Sequence, residues 1–174
     1  GGFTVRSDLD GLMRERGLSG LVVLAHDRYS PQLYWCTGQK IHHGLYLRTA
    51  DGHSHLVVDP MERDQAAGSN GEWSTYAQHG FLAMLKSADS QAEAFAKLIA
   101  KIAGELRIEG NVAFAGDAPL GFSWSMLSAL AKEAPGITVD GRQPDVIYTA
   151  METKDEGELE QIRKCSRGAV DAMG

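Results

Sequence analysis

The sequence predicts an α/β domain: a mixed β-sheet with helices on both faces. Three observations carry that expectation. Residues 20–25 and 111–116 are short runs that stay apolar on both faces of an extended chain, which marks strands covered from both sides. Segments of helical periodicity alternate with the strand-like runs, the order that builds an α/β layer. Asp51-Gly52 lies between two strand-like runs, a strong hairpin signal that adds an antiparallel pairing.

The elements follow in order. Ser7 caps a first helix whose buried stripe is Leu9, Leu12 and Met13, and Gly17 ends it. Residues 20–25 make a central strand. Ser30-Pro31 marks a turn that leads into Leu33-Tyr34-Trp35-Cys36-Thr37-Gly38. Residues 44–49 and 53–59 are the arms of the hairpin around Ala50-Asp51-Gly52. Residues 61–67 read as a short helix broken by Ser69-Asn70-Gly71, residues 73–78 as a strand and 79–86 as a second short helix. The best internal helix spans 90–106, with Phe95, Leu98, Ile99, Ile102 and Leu106 on one stripe. The second buried strand, 111–116, precedes a helix over 119–133 that Pro135-Gly136 stops. Residues 137–140 are a short strand, and 145–151 fit neither period.

The last stretch has the form of another helix. Asp155 and Glu158 stand at capping-box spacing, and acids precede bases along 153–164 as the helix dipole favours. Glu160 and Lys164 make a favourable i,i+4 pair. Leu159, Ile162, Ala169, Val170 and Met173 fall on one stripe, which needs a surface to pack on. Either it folds back onto its own domain, or it is the first helix of a second domain. The expected division is a domain over 1–151, with 152–174 as linker and first helix of that second domain.

Composition narrows the function classes. The 174 residues suffice for one domain with a real core, and 43% hydrophobic with 23% charged residues is ordinary for a soluble globular chain. A net charge of −6 offers no basic patch to neutralise phosphates, which argues against nucleic acid. No apolar run approaches the roughly 20 residues of a membrane span. The opening residues lack a charged region followed by an apolar one, so no export signal is expected. Cys36 and Cys165 have no pairing signature, which fits reduced thiols in a cytoplasmic protein.

No catalytic or metal-ligating residues are assigned. No glycine fingerprint follows either buried strand, and Gly116 and Gly121 frame a loop without a phosphate-binding lysine. His53 and His55 share a strand face, with His42 and His43 upstream on the partner run, so zinc is conceivable there. Polar residues at the exposed end of a hairpin are the plainer expectation. His26 follows a strand and is expected in a solvated loop, with the lining of a cleft at the strand's end as the alternative. Cys36 is expected to be a small buried hydrophobe. Tyr34 and Trp35 fit core packing, with a substrate-facing aromatic wall as the alternative. The acids of residues 61–64 are expected on a solvated helix face.

Four stretches together resemble a known family. They are Leu12-Met13-Arg14-Glu15-Arg16-Gly17-Leu18-Ser19-Gly20-Leu21-Val22-Val23, then Ser30-Pro31-Gln32-Leu33-Tyr34-Trp35-Cys36-Thr37-Gly38, then Leu56-Val57-Val58-Asp59-Pro60, and finally Thr153-Lys154-Asp155-Glu156-Gly157-Glu158-Leu159-Glu160-Gln161-Ile162-Arg163-Lys164-Cys165. In that order they resemble the N-terminal domain of the creatinase, prolidase and aminopeptidase P group of metalloenzymes. There are departures: Gln32 replaces a frequent Asn, Trp35-Cys36 replace a small aliphatic pair, and Ala150-Met151-Glu152 stand where an Arg often precedes the Lys.

The resemblance implies a ribonuclease H-like fold for the domain. It also implies a succeeding "pita-bread" catalytic domain that holds two divalent metal ions, Mn, Co or Zn, through two Asp, one His and two Glu. Paired metals of this kind activate a bridging water against an amide. The implied parent is an Xaa-Pro aminopeptidase or dipeptidase acting on short peptides, or an amidinohydrolase. Its N-terminal domain is non-catalytic, helps form a homodimer and shapes the substrate entrance. Tyr34, Trp35, His42 and His43 are the candidates for that wall. A stand-alone α/β binding module is the alternative from another class.

Overall fold

The hydrophobic pattern sets which segments become strands and which become helices. The computed structural model describes residues 7–152, Leu159 and 162–167. Helix α1 spans Ser7–Glu15, strand β1 Gly20–His26, α2 Pro31–Thr37, β2 His43–Thr49 and β3 Ser54–Val58. A 3-10 turn, Pro60–Glu62, leads into α3, Arg63–Ala67, and β4, Glu72–Thr75. A second 3-10 turn, Tyr76–His79, precedes α4, Phe81–Ser87, and α5, Gln91–Glu105. The chain then forms β5, Gly110–Asp117, α6, Leu120–Glu133, β6, Ile137–Asp140, and α7, Val146–Glu152.

Six strands form one sheet in the order β4-β3-β2-β1-β5-β6. β2 runs antiparallel to β1 and β3, while β1/β5, β5/β6 and β3/β4 are parallel. The sheet is therefore mixed, with β2 alone reversed among the six. Reversal follows from the short hairpin at Ala50-Asp51-Gly52, where Gly52 takes φ 98°, a region open to glycine.

Alternation along β1 feeds two cores. Val22 and Leu24 point to one face, where Phe95, Leu98, Ile99 and Ile102 of α5 and Leu130 of α6 cover them. Leu21, Val23 and Ala25 point to the other, under Leu9 and Met13 of α1, Leu33 of α2 and Ile147 of α7. Helices thus lie on both faces, as the two-sided apolar pattern requires. Cys36 is buried in the second core, and neither it nor the exposed Cys165 is in a disulfide.

Several boundaries differ from the sequence expectation, each for a local reason. The segment from Leu33 is a helix: Ser30 Oγ accepts the Leu33 N–H at 3.1 Å, Pro31 opens the first turn and Gly38 closes it at φ 70°. Of residues 73–78 only the first three are strand, in β4, because Gln78 Oε1 accepts the Thr75 N–H at 2.8 Å and turns the chain into the 3-10 helix. The ambiguous stretch 145–151 is α7, started by Asp145 Oδ1 accepting the Tyr148 N–H at 2.8 Å. Of the expected terminal helix, Leu159 and residues 162–167 are helical, with Leu159 and Ile162 38% and 45% exposed. The pair Asp155 and Glu158 and the stripe residues Ala169, Val170 and Met173 lie outside the described residues.

Two contacts locate the stability of this frame. Gly116 of β5 sits opposite Leu24 at φ 118°, and a Cβ there would lie 1.9 Å from the Leu24 carbonyl oxygen. Gly116→Ala should therefore destabilise the fold by at least about 3 kcal/mol in urea unfolding, and an unchanged midpoint would contradict the close approach. Arg48 of β2 is buried, and its Nη2 donates to Asp10 Oδ1 of α1 at 2.7 Å. Burial alone would lower the pKa of the guanidinium; the Asp10 hydrogen bond and the Tyr46 hydroxyl more than offset it, so Arg48 stays charged. Asp10→Ala removes the pairing carboxylate, and thermal or urea unfolding should report a loss of about 1–3 kcal/mol.

Candidate functional site

A cleft of about 470 Å³ opens beyond the carboxyl ends of β1, β3 and β4. Ends of neighbouring strands are where α/β sheets commonly bind ligands. His26 is the last residue of β1 and His43 the first of β2, paired across the sheet. Asp59 follows β3, and Tyr76 follows β4. Phe81 and Leu85 of α4 and Phe95 of α5 form the apolar side.

His26 is buried by aromatic rings. Its imidazole stacks on Phe122 of α6 at 4.2 Å between centroids and 13° between planes, and meets Phe95 edge-on at 5.4 Å. Burial holds it below the ordinary histidine value of 6.5; Asp27 pulls it partly back and His43 adds to the lowering. Asp27 takes φ 61°, a left-handed backbone that Asp tolerates better than most residues. Its carboxylate lies between the two rings, 3.2 Å from His43 Nδ1 and 3.8 Å from His26 Nε2.

Tyr76 stands out on the cleft wall. Its hydroxyl is buried with no hydrogen-bond partner among the described residues. Burial raises its pKa far above that of a free phenol, and the Glu62 and Asp59 carboxylates raise it further, so it remains a neutral O–H. Beside it, Glu62 is no solvated acid. Its Oε1 and Oε2 accept the backbone N–H groups of His42 and His43, each at 2.8 Å, and its side chain is 12% exposed. The expectation of a solvated face at 61–64 fails here because the loop before β2 has two unpaired donors that only Glu62 satisfies.

The wall candidates divide. His43 lines the cleft, while Tyr34, Trp35 and His42 stand outside its lining. Tyr34 is exposed on α2, 6.2 Å from Tyr29, so it is a surface aromatic rather than core. Trp35 is half-buried against the core beneath α2, in keeping with the packing expectation. His26 takes its alternative role, lining a cleft instead of a solvated loop, because Phe122 and Phe95 enclose it.

The four hairpin histidines do not meet. His42 and His43 lie at the open end of the hairpin, where the Asp59 N–H donates to the His43 carbonyl at 3.1 Å, and His53 and His55 lie near the turn. His55 instead joins a second group at the sheet edge. Ser74 Oγ lies 2.7 Å from His55 Nε2 and 2.6 Å from His79 Nε2, with Glu72 Oε2 3.7 Å from His55 Nδ1. One hydroxyl can donate to one ring and accept from the other, so the group ties β3, β4 and the adjoining 3-10 turn together. Among the described residues, no three His, Cys, Asp or Glu side chains stand together as a metal site. No helix among them is long and apolar enough to cross a membrane.

A family model for the creatinase/prolidase N-terminal domain matches residues 6–146. The chain belongs to that family. No curated protein matches it in sequence. Among solved structures, a prolidase from Thermococcus sibiricus is similar with a TM-score of 0.59 at 15% identity, over 92% of this chain and 40% of that one. A dipeptidase from Pyrococcus horikoshii OT3 gives 0.56 at 16% identity, over 88% and 38%. A dipeptidase from Mycobacterium ulcerans gives 0.50 at 16% identity, over 87% and 37%. These likenesses show the fold, and the chain spans about two fifths of each of those proteins. The creatinase/prolidase N-terminal fold is therefore the frame on which the cleft is built.

Two histidines of this domain are held neutral. His79, like His26, lies below 6.5, through burial first and then Lys101 and His55, with Glu105 opposing. The unfolded chain therefore takes up protons first as pH falls through 6.5, and stability drops towards the lower folded values. The melting temperature should decrease between pH 7.5 and 5.5, above the range where carboxylates titrate, and His26→Gln should flatten the decline. A melting temperature that rises on acidification would contradict the buried neutral state.

Proposed function

We propose that this chain is the non-catalytic N-terminal domain of an Xaa-Pro aminopeptidase or dipeptidase, a hydrolase with two divalent metal ions. The supporting observation is the family match over residues 6–146, in a chain that spans only about 40% of a prolidase with the same fold. Mn, Co or Zn would be held by a second domain, into which residues 152–174 lead, and would polarise the scissile amide. The parent would be a cytoplasmic homodimer acting on short peptides.

The domain's part in that reaction is positional. Glu62 fixes the backbone at His42 and His43, so the loop presents both rings from a rigid support. Tyr34 offers an exposed aromatic surface on α2, and Trp35 sets its base. Placed over a neighbouring subunit's active site, such a wall restricts the entrance to short substrates, and restriction of this kind acts on binding more than on chemistry.

The test uses the chain extended through its expected hydrolytic domain. With Mn added, it should release proline from Xaa-Pro dipeptides. Trp35→Ala and His43→Ala should raise KM or change dipeptide preference about 3–30-fold with kcat within a few-fold, the signature of lost binding. Unchanged kinetics in both variants would remove the wall. Hydrolysis of an amidino compound with none of Xaa-Pro peptides would move the parent to the amidinohydrolases, and no hydrolysis would favour a stand-alone binding module.

A further inference from the structure

We infer that the cleft at the ends of β1, β3 and β4 is a binding site for an apolar side chain with a primary ammonium beside it, the chemistry of a peptide's amino-terminal residue. Beyond its size, three chemical features of the cleft converge on that ligand. Its volume, about 470 Å³, lies within the roughly 300–1,000 Å³ of small-molecule sites. One side is apolar: Phe81, Leu85 and Phe95 form it, and Leu82 at the rim is left 64% exposed. The lining is also acidic. Asp27 is 69% exposed and lines the opening with Asp59, and among the described residues no lysine or arginine lines the cleft.

The third feature is the Tyr76 hydroxyl. A buried phenol without a partner is uncommon, since nearly all buried polar groups are hydrogen-bonded. As a neutral O–H it can donate to a peptide carbonyl, the acceptor one bond from the α-carbon that bears the ammonium. An amino-terminal residue would thus use all three features: ammonium on the Asp27 and Asp59 side, carbonyl on Tyr76, side chain against Phe81 and Phe95. His26 adds no competing charge, because it is enclosed by Phe122 and Phe95 and held neutral. An anionic ligand would meet the two carboxylates, and a purely apolar one would leave Tyr76 unpaired.

Calorimetric titration of the 174-residue chain with phenylalaninamide tests this. N-acetylphenylalaninamide keeps the ring and carbonyl but removes the charge, and glycinamide keeps the charge but removes the ring. Saturable binding of phenylalaninamide in the millimolar range is expected, with each control at least about fivefold weaker, the scale of one lost charged or apolar contact. Tyr76→Phe keeps the ring in the core and should weaken binding about 2–10-fold, as loss of one hydrogen bond does. Asp27→Asn, at an exposed position whose backbone Asn tolerates, should weaken it by a similar factor without unfolding the chain. Equal affinity for the acetylated and free amines, full affinity in both variants, or no saturation would overturn the assignment. An amino-acid amide is chosen because the inference rests on the peptide-hydrolase reading. Binding is read without turnover, so failure here leaves that reading standing, and absence of hydrolysis by the extended enzyme leaves this one.

Discussion

Leu21, Val22, Val23, Leu24 and Ala25 are all no more than 4% exposed, so β1 must be covered on both faces and paired on both edges. The antiparallel hairpin strand supplies one edge and parallel β5 the other. Helices α5 and α6 cover one face, and α1, α2 and α7 the other. Gly116 permits the closest backbone approach on the β5 side, where any side chain would collide with the Leu24 carbonyl. The remaining strands extend these three outwards, and among the described residues the cores on the two sides share no side chain.

Covering β1 fixes what happens at its end. The strand delivers His26 and then turns sharply at Asp27, whose positive φ brings its carboxylate back towards the His26 and His43 rings. Reversal of β2 places His43 directly opposite His26. Parallel β3 and β4 end at the same side, adding Asp59 and Tyr76. A short α4, started at Gly80, leaves the apolar groups of Phe81 and Leu85 facing this gap. Acidic, aromatic and aliphatic groups are thereby gathered by topology from distant stretches of the chain. The buried Tyr76 hydroxyl is a cost the fold carries at this end, and costs of that sort concentrate at functional positions.

Much of the frame was legible in the sequence. The two-sided apolar runs, the Asp-Gly hairpin and the long amphipathic helix at residues 91–105 need only local pattern, and all three appear. Legibility failed where a side chain overrode the pattern. Leu33-Tyr34-Trp35-Cys36 resembles a strand fragment in composition, yet Ser30 and Gly38 cap it as a helix. Glu62 has the pattern of one more surface acid, because its two acceptors serve backbone donors at His42 and His43, far back along the chain. The site itself was less visible still. His26 carried the right hint, at the end of a buried strand, but Phe122 and Phe95 reach it only through the packing of α6 and α5 on the sheet. Family resemblance reached the fold from four short stretches and touched the cleft only at Asp59 and Pro60, since none of them contains Tyr76 or Phe95.

The central claim is that the cleft end of this sheet is the working face of a domain that serves a hydrolytic partner domain. A structure of the chain continued through that partner, with an Xaa-Pro dipeptide or product bound, tests it most directly. The account places His43, Tyr34 and the cleft mouth towards a bound peptide at an active site, with the β6 edge turned away. A structure in which the peptide site faces the opposite end of the sheet, with His43 and Asp27 in open solvent, would contradict it.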